Sequence, residues 1–123
     1  MARQPRLVLA DWPHHIIQRG HNRQPVFRAQ EDFQHYLANL DEWKRTLDCR
    51  VYAYCLMTNH VHLIVDPGPK AVHLAQMMKR VAGRHTRYAN DRAGRTGTLW
   101  RTGTNPDPSI RTLTSWLAVA MWN

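Results

Sequence analysis

An α+β fold, with an antiparallel sheet and helices on one face, is what this sequence predicts, and three observations carry it. Two segments, 14–19 and 51–65, have the β-branched, aromatic and apolar make-up of strands, the second interrupted by Thr58 and Asn59. Two others, 33–47 and 74–88, repeat apolar residues at three- and four-residue spacing, the period of a helix. Their order is strand, helix, strand, strand, helix, and 123 residues suit one domain of ordinary size.

The first strand is His14 to Arg19, built around Ile16 and Ile17 and ended by Gly20 and the polar turn His21, Asn22, Arg23. In the first helix Phe33, Tyr36, Leu40, Trp43 and Leu47 share a face, while Glu31 and Asp32 occupy a first turn where the helix dipole favours negative charge. Val51 to Val65 forms two adjacent strands joined by a tight turn, and Pro67, Gly68 and Pro69 end the pair. The second helix carries Leu74, Met77, Met78, Val81, His85 and Tyr88 on its apolar face, with Lys79, Arg80, Arg84 and Arg87 mainly off it.

This order is five-sixths of a ferredoxin-like split βαβ arrangement. The last strand and a C-terminal helix are expected to be missing. After Trp100 the chain is rich in Thr, Asn, Pro and Asp, and the apolar stretch from Ile110 to Asn123 offers at most one weak helix. The expected organisation is a domain over 1–100 and an atypical tail over 101–123. A missing strand would leave a sheet edge prone to self-association, so monomer and dimer both stay open.

Lysine plus arginine number 17 against 9 acidic residues, a formal charge of +8 that favours a polyanionic partner. The charge is segregated: residues 1–28 and 79–101 are strongly basic, whereas 29–78 is net negative. Apolar residues at 43% exclude a disordered basic tail, and no apolar run approaches the roughly 20 residues of a membrane span. The N-terminus lacks a signal-peptide core, so a cytoplasmic protein is expected. Cys49 and Cys55 have no CxxC spacing and are expected to be reduced, partly buried thiols.

His60 and His62 are two apart in a strand, so both imidazoles project from one face while Val61, Leu63 and Val65 project from the other. Two neutral imidazoles held side by side are half of a divalent-metal site. A surface pair with no ligand is the competing reading, and only the surrounding residues separate the two.

Those residues carry a resemblance. The segment YCLMTNHVHLIV, Tyr54 to Val65, resembles the HUH signature of single-strand insertion-sequence transposases, and more closely that of the REP-associated tyrosine transposases. ARQPRL at Ala2 to Leu7, HHIIQRGHNRQPVF at His14 to Phe27 and HTRYANDRAGRTGTLW at His85 to Trp100 agree in order and spacing. Thr58 stands where the family commonly has proline. The resemblance implies a metal-dependent endonuclease and strand transferase acting on single-stranded hairpin DNA. It also implies that His60 and His62 hold Mg²⁺ or Mn²⁺ and that a tyrosine attacks the scissile phosphate.

The family's nucleophile lies on a C-terminal helix in a pattern like YIxxNPVRAG, which this sequence lacks. A frameshift or premature end of the coding sequence is the expected cause, leaving a truncated, inactive domain. Tyr36, on an apolar helix stripe, is expected in the core; Tyr52 and Tyr54 could face the histidine groove, and Tyr88 lies near arginines. Tyr54 and Tyr88 are therefore the weak candidates for a substitute nucleophile. Arg80, Arg84 and Arg87 share one helix side and, with Arg19, Arg23 and Arg92, are the candidate DNA-binding residues, against a merely solvated face. The alternative function is a non-enzymatic single-stranded nucleic-acid-binding ferredoxin-like module in which Tyr52 or Tyr54 stacks on bases and no metal is needed. A pseudogene product that does not fold stably is a third reading.

Overall fold

The computed structural model describes residues 8–101 and 109–112. Strand β1 (His14–Arg19) leads through a short 3-10 turn (His21–Arg23) to helix α1 (Gln30–Thr46). The hairpin strands β2 (Arg50–Met57) and β3 (His60–Asp66), helix α2 (Val72–Ala93) and strand β4 (Ser109–Thr112) follow. The sheet order is β2-β3-β1-β4, with every neighbouring pair antiparallel, as a ferredoxin-like split βαβ fold requires.

The fold class agrees with the sequence, but the last strand expected to be missing is present. β4 pairs with β1, placing Ile110 opposite Ile16 and Thr112 opposite His14. Four residues with one large apolar side chain carry almost no strand signal of their own. Pairing is set instead by the edge of β1, and Ile110 is buried in the core beside Ile16. The sheet edge expected to be bare is thus covered, and the segment expected as a tail contributes to the sheet. The C-terminal change is expected over 101–123, including the absent tyrosine helix, and outside β4 and Arg101 it lies beyond the described residues.

Both helices pack on one face of the sheet. Tyr36 and Leu40 from α1 and Leu74, Met77, Met78 and Val81 from α2 meet Ile16, Val61, Leu63 and Val65 in a single cluster, closed by Phe27 and Trp100. Asp32 does more than complement the helix dipole. Its carboxylate accepts the backbone N–H of Arg28 (2.7 Å) and Ala29 (3.1 Å) at the start of α1, and the Tyr88 hydroxyl of α2 (2.8 Å). Burial alone would raise its pKa; these hydrogen bonds and Arg92 outweigh burial and lower it.

Gly20 is where backbone approaches backbone. A Cβ there would lie 2.3 Å from the Gln24 carbonyl oxygen and 3.1 Å from Val26 Cγ1. Its N–H donates to the Asn59 carbonyl (2.8 Å), while Val26 and Phe27 donate to the Thr58 carbonyl, so the loop after β1 clamps the β2–β3 turn. The cysteines are both free; Cys49 is buried, its thiol pushed up to about 11 by burial and then by Asp66 and Asp48, whereas Cys55 is exposed rather than partly buried. Among the described residues no helix is long and apolar enough to cross a membrane.

Candidate metal and nucleic-acid site

β3 positions the histidine pair. Val61, Leu63 and Val65 are fully buried beneath the helices, so His60 and His62 project from the opposite face of the sheet, their ring centroids 5.0 Å apart. Each ring is held through Nδ1: that of His60 is 2.8 Å from Asn59 Oδ1, and that of His62 is 3.1 Å from His15 Nε2. His15 reaches across because β1 runs antiparallel to β3, with Ile17 opposite His62 and His15 opposite Ile64. The His15 and His62 rings stack at 5.3 Å. Burial lowers the pKa of His62, and the positive charge of His15, His60 and Arg19 lowers it further. Neutral imidazole, the form that ligates metal, is therefore favoured at neutral pH.

On β2, Cys55 stands opposite His62 and Met57 opposite His60. Among the described residues no group of three or more His, Cys, Asp and Glu is arranged to hold a metal. Among the described residues the pair offers two nitrogens and no third His, Cys, Asp or Glu ligand.

Arg19 faces His60 across the β1–β3 ladder. Beyond it opens a cleft of about 470 Å³ lined by Arg19, Gly20, His21, Asn22, Arg23, Asn59 and Arg101, three guanidinium groups with no carboxylate. Backbone hydrogen bonds build this cleft: His21 N–H donates to the Leu99 carbonyl (2.9 Å), and Arg101 N–H to the Arg19 carbonyl (2.7 Å). Gln24 Nε2 also donates to the Leu99 carbonyl (2.9 Å). The segment ending in Trp100 is thereby tied to the end of β1.

The other candidate arginines lie on α2, in the helix layer. Arg84 forms an ion pair with Glu42 and lies 5.0 Å from the Trp43 ring centroid; Arg80 lies 5.4 Å from the same centroid. Arg92 pairs with Glu31 (3.0 Å) and sits over the Tyr88 ring. Arg87 is exposed, without an ion-pair partner among the described residues. The structure thus brings Arg19 and Arg23 beside the histidines and leaves Arg80, Arg84, Arg87 and Arg92 on another element.

None of the tyrosines is placed to attack at the histidine face. Tyr36 is fully buried, as expected, and burial raises its pKa strongly. Tyr54 is 54% exposed but pairs with Leu63, which puts it on the helix-side face, where it lines a groove with Leu37, Leu40 and Lys44 of α1. The groove it was expected to share with the histidines is therefore not the one it faces: two-residue alternation gives that side to Cys55 and Met57. Tyr52 donates its hydroxyl to Asp66 Oδ2 (3.3 Å), roughly 13 Å along β3 from His62 at about 3.3 Å per residue. Tyr88 donates to Asp32 and stacks on His35 at 3.8 Å in the helix layer.

His15 and Asn59 beside the histidines, and His21 and Arg101 in the cleft, are neighbours of the candidate site that sequence reasoning missed. Alternation along β1 places His15, Ile17 and Arg19 on one face, but only the strand register shows which β3 residues they meet.

Comparison with known families gives a decisive match: residues 10–104 fit the family model described as "Transposase IS200 like". The chain belongs to the IS200-like transposase family. Among solved structures, the transposase fold is similar to that of a REP-associated tyrosine transposase bound to a REP hairpin. The TM-score is 0.76 at 11% identity, covering 99% of this chain and 68% of the other. It is also similar to a candidate transposase from Deinococcus radiodurans R1, with a TM-score of 0.64 at 18% identity, covering 98% and 93% of the two chains. At these identities the likeness is one of fold. No curated protein sequence matches.

Proposed function

We propose that this IS200-like transposase chain binds single-stranded hairpin DNA across the histidine face and holds a divalent cation, Mg²⁺ or Mn²⁺, at His60 and His62. The observation that carries this reading is the juxtaposition of the paired imidazoles with the cleft of Arg19, Arg23 and Arg101. A phosphodiester seated in the cleft would pass beside His60, its charge matched by guanidinium groups that meet no carboxylate in the lining.

The pair fits as two ligands of such a cation. Both rings are anchored at Nδ1, which presents Nε2 as the ligating nitrogen, and water or phosphate oxygens would fill the other positions. When bound, the cation would stabilise negative charge developing on phosphate oxygens. Only two protein ligands among the described residues imply weak binding.

Strand cleavage by tyrosine would need a hydroxyl within about 3 to 3.5 Å of the scissile phosphorus. Tyr36 is buried, Tyr52 and Tyr88 are hydrogen-bonded elsewhere and Tyr54 stands on the helix side of the sheet, so DNA and metal binding, without a phosphotyrosine bond formed by one of these four, is the activity proposed. The alternative of a base-stacking module without metal is disfavoured by Tyr54, which stands on the helix side of the sheet rather than on its open face.

Calorimetric titration with Mn²⁺ tests the metal site. Weak binding that disappears in the H60A/H62A double variant supports it; equal affinity in that variant overturns it.

A further inference from the structure

We infer that Asn59 and His15 are positioning residues that set the tautomer of His60 and His62, so that Nε2 of each ring faces the cation; the inference rests on the metal reading above. Asn59 Oδ1 can only accept a hydrogen bond, so at 2.8 Å it requires His60 to carry its proton on Nδ1. An imidazole with Nδ1–H has its lone pair on Nε2. At His62 the partner is His15, whose Nε2 lies 3.1 Å from His62 Nδ1; with the His15 proton on its own Nδ1, that Nε2 accepts and His62 carries Nδ1–H, and near-parallel stacking of the two rings, 15° apart, holds the orientation.

The two positioning residues come from opposite directions. Asn59 belongs to the β2–β3 turn, and its backbone carbonyl accepts the Gly20 N–H (2.8 Å), so the clamp on the turn also fixes the side chain that addresses His60. His15 belongs to β1 and reaches His62 through the antiparallel register. Both rings are thus oriented before any cation arrives, which lowers the ordering cost of binding. The clamp uses the Asn59 backbone, so replacing its side chain leaves the turn held.

The test uses the whole chain. In the metal-free protein, ¹⁵N–¹H imidazole correlation spectra should show His60 and His62 as Nδ1–H tautomers. Asn59→Ala should release His60 and His15→Ala should release His62 to the Nε2–H form, whereas Asn59→Asp and His15→Gln, which keep an acceptor oxygen, should retain Nδ1–H. Mn²⁺ affinity should fall about tenfold in each alanine variant and recover in each conservative one. His60 or His62 found as Nε2–H in the wild type, or tautomers unchanged by the alanine variants, overturns the inference. Mn²⁺ binding that needs His60 and His62 but is indifferent to Asn59 and His15 overturns it while leaving the metal reading standing. Equal affinity in H60A/H62A overturns the metal reading itself.

Discussion

Replacing Arg19, Arg23 and Arg101 together by glutamine should flatten the salt dependence of hairpin DNA binding about three times as much as replacing Arg80, Arg84 and Arg87. The three cleft arginines face no carboxylate in the cleft lining. On α2, by contrast, Arg84 is paired with Glu42 and both Arg80 and Arg84 lie over Trp43, which leaves Arg87 as the uncommitted cation of that set. Each lost phosphate contact removes about 0.7 from the slope of log K against log salt for a single strand. Three contacts therefore remove about 2, and one removes about 0.7. Across a rise from about 50 to about 200 mM salt, a slope change of about 2 corresponds to roughly 15-fold in affinity. Fluorescence anisotropy with a labelled hairpin at several salt concentrations reads the slope directly. An unchanged slope in the cleft triple, or a larger drop in the helix triple, would refute the assignment of the DNA path.

Gly20→Ala should destabilise the fold by about 1 to 3 kcal/mol, because the new Cβ would meet the Gln24 carbonyl oxygen at 2.3 Å; an unaltered urea midpoint would contradict the close approach. Stability should fall on acidification. His14 and His85 are fully buried, and burial, opposed only in part by hydrogen bonds to the backbone, lowers both pKa values below 6.5. The unfolded chain then takes up protons that the folded chain refuses, so their contribution is present above pH 6.5 and is lost as pH falls below it towards the folded values. Urea midpoints above and below that pH check the sign, and a midpoint that rises in acid would reverse it. With labelled hairpin DNA and Mg²⁺ or Mn²⁺, no covalent band should appear on a denaturing gel; a band abolished by Tyr54→Phe or Tyr88→Phe would show that one of these hydroxyls reaches the phosphate after all.

Elements whose signals are local are legible from the residues alone. Ile16 and Ile17 ahead of Gly20 marked β1, and the stripes from Phe33 to Leu47 and from Leu74 to Tyr88 marked the helices. His60 and His62 were placed on one face by alternation alone, because side-chain direction in a strand depends only on its immediate neighbours. What pairs with what was decided by the tertiary structure. β4 exists because β1 offers an edge and Ile110 fits beside Ile16, a long-range match that four polar-flanked residues do not announce. Tyr54 looked equivalent to the residues around the histidines until the register set it opposite Leu63. The sequence places Arg84 and Arg92 on a basic helix, but only the tertiary structure brings Glu42 and Glu31 of α1 against them. His15 and Asn59 carry no motif at all; they become part of the site only when antiparallel pairing and the Gly20 clamp bring them to the two histidines, since a hydrogen bond depends on distance in space rather than separation along the chain.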